Sequence, residues 1–242
     1  MKKTDVNIIF QITSKIKVDL ENNLHLINLI ADKKERISVN EVRALIKLIK
    51  FLFEKASLQS KFEKKSIRAL TTKFRDAGRR SAPWEPTSKR VPGRPQDGKD
   101  GNRINRWLLP SDHKFYANEI DATLVEVKYY LQALSMSNAP QTKDYELNIK
   151  KKFTPWLVKH EVTPGTYLDP LQRKEIDFNK FIENPRIVQS GHLIPLDRNG
   201  KHVPKNTFLM LSESNQMQGN QKIEELLKLM EYIVTQHKIN PI

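Results

Sequence analysis

The 242-residue sequence predicts an α+β fold, a helical N-terminal region followed by a C-terminal unit of strand, loop, strand and helix. Three observations predict it. Apolar residues recur every three to four positions up to about residue 78. Prolines, glycines and basic residues replace that pattern over 79–115. From residue 187 two short apolar runs flank an Asn-Gly turn and precede a further amphipathic stretch.

Taken in order, Val6, Ile9, Phe10, Thr13, Ile16 and Leu20 carry the first helical spacing. Ser38-Val39-Asn40-Glu41 reads as a capping box, in which serine caps early amides and glutamate reaches back. Behind it, Val42, Leu45, Ile46, Ile49, Leu52 and Phe53 form an apolar stripe that reads as core, with a coiled-coil seam as the alternative. The helical pattern stops at Gly78. Residues 79–115 hold five prolines and, flanked by Trp84 and Trp107, a basic set: Arg79, Arg80, Lys89, Arg90, Arg94, Lys99, Arg103 and Arg106. Long irregular segments of this kind are functional or flexible. The composition suits a loop that tracks a phosphate backbone, and equally an exposed insertion.

Helix is expected again over 117–136, where Ile120, Leu124, Val127, Tyr130, Leu131 and Leu134 share a face, ending at Ser137-Asn138-Ala139-Pro140. A boundary is expected near 140–150. Beyond it, 167–171 and 175–178 read as two short strands, 187–195 and 207–211 as two more, and 220–236 as a helix. Asp197-Arg198-Asn199-Gly200-Lys201 reads as the turn between the second pair. The expected organisation is a helical domain over 1–78, a basic loop region over 79–115, a helix and linker over 116–150, and a C-terminal module over 151–242.

Lysine and arginine number 42 against 28 aspartates and glutamates, for a net charge of +14 and a pI near 9.8. Such a field favours a polyanion through counterion release; a solvated lysine-rich surface accounts for it as well. The absence of cysteine excludes disulfides and thiolate zinc sites and fits a reducing compartment. Polar groups interrupt the first residues too early for a secretory signal, and the most apolar segment, residues 44–53, carries Lys47 and Lys50 and is too short to span a bilayer. The expectation is a soluble protein of the bacterial cytoplasm with no membrane partner.

The residues with the clearest chemical pattern are His192, Asn206 and Asn215, separated by 14 and 9 positions. A neutral imidazole can take a proton from water near neutral pH. An amide oxygen can ligate a hard divalent cation. The flanking segments Gly191-His192-Leu193-Ile194-Pro195-Leu196, Gly200-Lys201-His202-Val203-Pro204-Lys205-Asn206 and Asn215-Gln216-Met217-Gln218-Gly219-Asn220 resemble those of the HNH endonucleases of the ββα-metal superfamily over about residues 153–230. The resemblance implies a ββα-metal module in which His192 is the general base, Asn215 the metal ligand and Asn206 a brace for the hairpin. It implies Mg2+, with Mn2+ as an alternative, and products bearing 5′-phosphate and 3′-hydroxyl ends. It points to double-stranded DNA as partner. Lys201, His202 and Lys205 join the basic loop as candidate contacts, with His202 reading equally as an exposed loop histidine without a role. Cutting both strands together needs two sites, so a homodimer is expected.

Two departures from the family stand out. Many members carry Asp before the histidine as a second ligand, where this chain has Gly191. Asp169 is a candidate second ligand or supporting partner; as an Asp-Pro pair it equally reads as a turn residue. Many members also hold a cysteine-bound zinc, and none is expected here. The expected function is a divalent-metal-dependent, type II restriction-like DNA endonuclease. The alternatives are a DNA-binding module with a silent HNH fold, or a phage-defence nuclease acting without specificity or on RNA.

Overall fold

The structure, a computed structural model, describes residues 37–81, 103–141 and 157–240. It is an α+β protein. The helix expected at the extreme N-terminus, the basic residues Lys89, Arg90, Arg94 and Lys99, and the lysine run at 150–152 lie outside the described residues.

Helix α1 (Val39–Gln59) opens with the expected capping box: the Glu41 amide donates to Ser38 Oγ at 3.3 Å, and the Ser38 amide to Glu41 Oε2 at 2.7 Å. Its stripe of Val42, Leu45, Ile46, Ile49, Leu52 and Phe53 is buried within the molecule. Residues 60–63, with Lys61 at a φ of 65°, turn the chain into α2 (Lys64–Gly78). Strands β1 (Arg80–Ser81) and β2 (Ile104–Asn105) form a two-residue antiparallel pair, followed by a single tight turn at Arg106–Leu108.

Helix α3 (Glu119–Ala133) is the spine. Asn118 caps it by accepting from the Asp121 amide at 2.8 Å. Every residue from Ala122 to Ala133 is buried, polar ones included, so the single apolar face expected from the sequence is an incomplete description. The reason is that α3 packs between α1 and α2 on one side and a β-hairpin on the other. Two of its buried polar groups bond that hairpin: Lys128 Nζ donates to the carbonyls of Pro204 (2.7 Å) and Thr207 (2.6 Å), and Gln132 Oε1 accepts from the Leu209 amide (3.0 Å).

The strands expected at 167–171 and 175–178 reduce to isolated bridges, Leu168 with Glu175 and Asp177 with Ser137. Phe178 instead begins helix α4 (Phe178–Glu183), because the Asp177 carboxylate accepts from the Lys180 amide at 3.0 Å and caps it. The second pair of strands is present as β3 (Val188–His192) and β4 (Thr207–Leu211), antiparallel, with Ser190 opposite Leu209 and His192 opposite Thr207. Two helices follow rather than one. Helix α5 (Ser212–Gln218) ends at Gly219, whose φ of 52° reverses the chain into α6 (Ile223–Ile239).

One apolar cluster takes residues from α1, α2, α3, α4, β3 and β4. At its centre Phe53 meets Phe74 (5.8 Å), Tyr130 (5.2 Å) and Phe178 (6.0 Å) edge-on, joining N-terminal helices to α4. A smaller cluster of Leu171, Phe208, Met210, Ile223 and Leu226 lies between the hairpin and α6. Among the described residues no helix is long and apolar enough to cross a membrane.

Phe74 is fully buried against Phe53, Tyr129, Tyr130 and Phe181. Phe74→Ala is expected to lose about 3–5 kcal/mol in urea unfolding and to loosen helices and hairpin in one transition.

Candidate active site

Residues of a β-strand alternate between its faces, and the hairpin uses both. Val188 and Ser190 of β3 face α3: Val188 enters the large cluster, and the Ser190 hydroxyl bonds Tyr129 Oη. Gln189 and Gly191 face the other way. Gln189 Nε2 donates to Ser212 Oγ at 3.1 Å, and Gln189 Oε1 accepts from Asn215 Nδ2 at 2.7 Å, both on α5.

His192 ends β3 on the α3 side. Its Nε2 lies 3.1 Å from Nδ1 of His202, whose own Nε2 lies 2.8 Å from the carbonyl of Gly78 at the end of α2. His202 is completely buried. The expectation of a loop histidine reaching for phosphate is therefore corrected: the hairpin loop folds back under α2 and carries the ring inside. Burial, with the Arg106 charge adding to it, pulls the His192 imidazole down to about 4, so the ring is neutral at neutral pH. Burial, then Arg106 and His192, hold His202 well below the usual histidine range despite the Gly78 carbonyl.

Asn206 is buried and ties the loop. Its Oδ1 accepts from the Ile194 amide (2.9 Å), and its Nδ2 donates to the carbonyls of Ile194 (3.0 Å) and Lys201 (2.9 Å). Asn199, at a φ of 63°, and Gly200 complete the turn. A Cβ at Gly200 would collide with the Ile194 carbonyl, so only glycine lets the loop close this tightly.

Asn215 sits inside α5, a short helix that precedes the C-terminal helix expected over 220–236. With Nδ2 given to Gln189, its Oδ1 accepts no hydrogen bond among the described residues. One turn further, Gln218 Nε2 donates to the His192 carbonyl at 2.7 Å. Helix α5 is thus pinned along β3, but no hydrogen bond joins the His192 ring to Asn215 among the described residues, and the two meet β3 from opposite faces.

Asp169 is fully buried. Its Oδ1 accepts from the amides of Leu171 and Gln172 and from Ser214 Oγ, and its Oδ2 from the Leu211 amide. That is a turn residue which also fastens the junction between β4 and α5. The carboxylate supports the helix carrying Asn215 and has four donors already.

The basic residues divide. Arg106, expected to contact nucleic acid, is buried, and its guanidinium donates to the carbonyls of Gly78, Phe115 and Ala77. Desolvation lowers it to about 10. Arg79 pairs with the buried Glu126, and Arg80 donates to the Arg103 carbonyl and Asp76. These residues bind the chain to itself. Lys201 and Lys205 are exposed and line a cleft with Leu193, Ile194 and Asn206.

Several residues that build the site carried no separate functional signal in the sequence: Tyr129, Gln189 and Met210, while Gly78 read only as the end of a helix and Gln218 only as part of a quoted segment. Met210 answers the question raised by Gly191. A Cβ at position 191 would overlap the Met210 sulphur and stand 2.8 Å from Phe208 Cε2, so the place of a second ligand is filled by the small apolar cluster.

Among the described residues no group of three His, Cys, Asp or Glu could hold a metal ion. Within the β3-β4-α5 unit, Asn215 Oδ1 is an oxygen that could act as a donor to a metal ion. A hard oxygen suits Mg2+, which keeps several waters and borrows the rest from substrate, better than it suits zinc.

No protein-family model and no curated protein sequence matches the chain. Among solved structures, a crystal structure of a type II restriction endonuclease aligns with a TM-score of 0.44 at 19% identity, over 56% of this chain and 62% of that one. The chain therefore spans less than two thirds of that protein's length.

Gly191→Asp tests the closure at Met210. It should lower stability by about 1–3 kcal/mol from overpacking alone, more once the carboxylate is desolvated, without tightening Mg2+ binding by calorimetry. A variant as stable as wild type that binds Mg2+ more tightly would show that the position is open.

Proposed function

We propose that the chain is a divalent-metal-dependent DNA endonuclease of the HNH type, restriction-like in role. The observation that carries this reading is the neutral His192 at the end of β3, held by a second ring in a hairpin braced by Asn206. The His-Asn-Asn spacing and the net charge of +14 support it.

In this reading His192 takes a proton from water, the water oxygen bonds to phosphorus, and the bond from phosphorus to the 3′ oxygen breaks. The 3′ oxygen leaves with a proton from solvent, giving a 3′-hydroxyl and a 5′-phosphate. Asn215 would hold the cation through Oδ1, with Gln189 orienting that amide. A bound Mg2+ supplies charge neutralisation at the phosphate and at the departing oxygen. Asn206 keeps the hairpin loop closed, and Lys201 and Lys205 offer charge to the DNA backbone. Two copies would place two sites on a duplex, and the exposed Leu229, Tyr232 and Ile233 of α6 support a homodimer.

A second reading is a module that binds DNA without cutting it. Two observations favour it: Met210 closes the position of a second ligand, and His192 and Asn215 approach β3 from opposite faces.

Supercoiled plasmid incubated with Mg2+ or with EDTA separates the two. The endonuclease reading expects Mg2+-dependent cleavage that His192→Ala and Asn215→Ala each reduce at least 100-fold, with 5′-phosphate ends on sequencing. Salt-dependent binding with no cutting under Mg2+ or Mn2+ supports the second reading and overturns the first.

A further inference from the structure

The two groups in line behind His192, the His202 ring and the Gly78 carbonyl, assign its protons. A carbonyl oxygen only accepts, so Nε2 of His202, 2.8 Å from the Gly78 carbonyl, carries a hydrogen. A neutral ring has one N–H, so Nδ1 of His202 holds a lone pair. The nitrogen 3.1 Å away, Nε2 of His192, must then be the donor. We propose that His202 is a positioning residue which, anchored on the Gly78 carbonyl, holds His192 as the Nε2–H tautomer and leaves Nδ1 as the nitrogen that accepts the proton from water.

This deepens the endonuclease reading and rests on His192 as its base. The geometry stands on full burial of His202 and on Asn206, which bonds the Lys201 carbonyl next to it. Desolvation and the neighbouring Arg106 charge keep His202 neutral, as an acceptor must be. In the reaction the proton of water moves to Nδ1 of His192, forming an imidazolium whose Nε2–H still donates to His202. The proton stays on His192, because a second proton on His202 would charge a ring that burial and the Arg106 guanidinium keep neutral. Selection of the catalytic nitrogen is thereby placed in the last carbonyl of α2, an element distant in sequence from the hairpin. Partners that orient metal-ligating histidines are worth about 10–100-fold, and a loss of the same order is expected for a partner that orients a base.

Full-length protein with 15N-labelled histidine, without metal, tests the assignment. Wild type should show His192 protonated at Nε2 and bare at Nδ1, with a coupling between the His192 and His202 rings; a proton on Nδ1 of His192 overturns the proposal whatever any variant does. His202→Asn keeps an oxygen acceptor where Nδ1 stood, and should keep both the tautomer and plasmid cleavage within about fivefold. His202→Leu removes the acceptor; it should give a mixture of His192 tautomers and lower kcat about 10–100-fold with KM little changed. Wild-type tautomer and full activity in His202→Leu would also overturn it. The failure of the parent reading looks different: if His192→Ala cuts as well as wild type, the base is elsewhere, while the tautomer result stands by itself.

Discussion

The carbonyl of Gly78 ties the end of α2 to two segments distant in sequence, the turn after β2 and the loop of the hairpin. It ends α2 and has no partner within that helix. It accepts from Arg106 at 3.1 Å and from His202 at 2.8 Å, so one oxygen fixes both the turn after β2 and the ring behind His192. Glycine is required there by proximity. A Cβ would stand 2.9 Å from the backbone nitrogen and Cα of Glu126, and α2 could not lie this close to α3. Moving α2 away would withdraw the acceptor from both donors.

Around that point the molecule buries charge and offsets its cost with local partners. Arg106 has three carbonyls, Glu126 has Arg79, and Lys128 has two carbonyls of the hairpin. Burial pulls Lys128 down to about 8, with Lys159 adding to the effect. Two polar groups of α3, Lys128 and Gln132, thus act as fasteners for β4 and its loop. The hairpin in turn faces two ways, toward the large aromatic core and toward the small cluster under α6. Charge that looked available for a polyanion is, at Arg79, Arg80 and Arg106, committed to the fold. The cleft at Lys201 and Lys205 keeps its charge outward.

Much of this was legible in residue order. The capping box at Ser38, the stripe of α1, both strands of the hairpin and the Asn-Gly turn follow from periodicity and local chemistry, which act over a few residues. The hydrogen bonds of Asn206 across the hairpin loop agree with the brace expected at that position. What was not legible depends on distant pairs. His202 read as exposed because loop position says nothing about which helix folds over it. Arg106 read as a contact for phosphate because a buried arginine and an exposed one look alike in sequence. Asp177 turned an expected strand into a helix by capping Phe178, and Met210 explained Gly191 only when the register set the two strands side by side.

The most direct measurement of this account is native-state hydrogen exchange across increasing denaturant. If the Gly78 carbonyl joins α2 to the hairpin, amides of α3, β3 and β4 open with one common free energy. In Gly78→Ala, protection then falls in the hairpin as well as in α2. Hairpin amides that open separately at lower free energy, unchanged by Gly78→Ala, would contradict it.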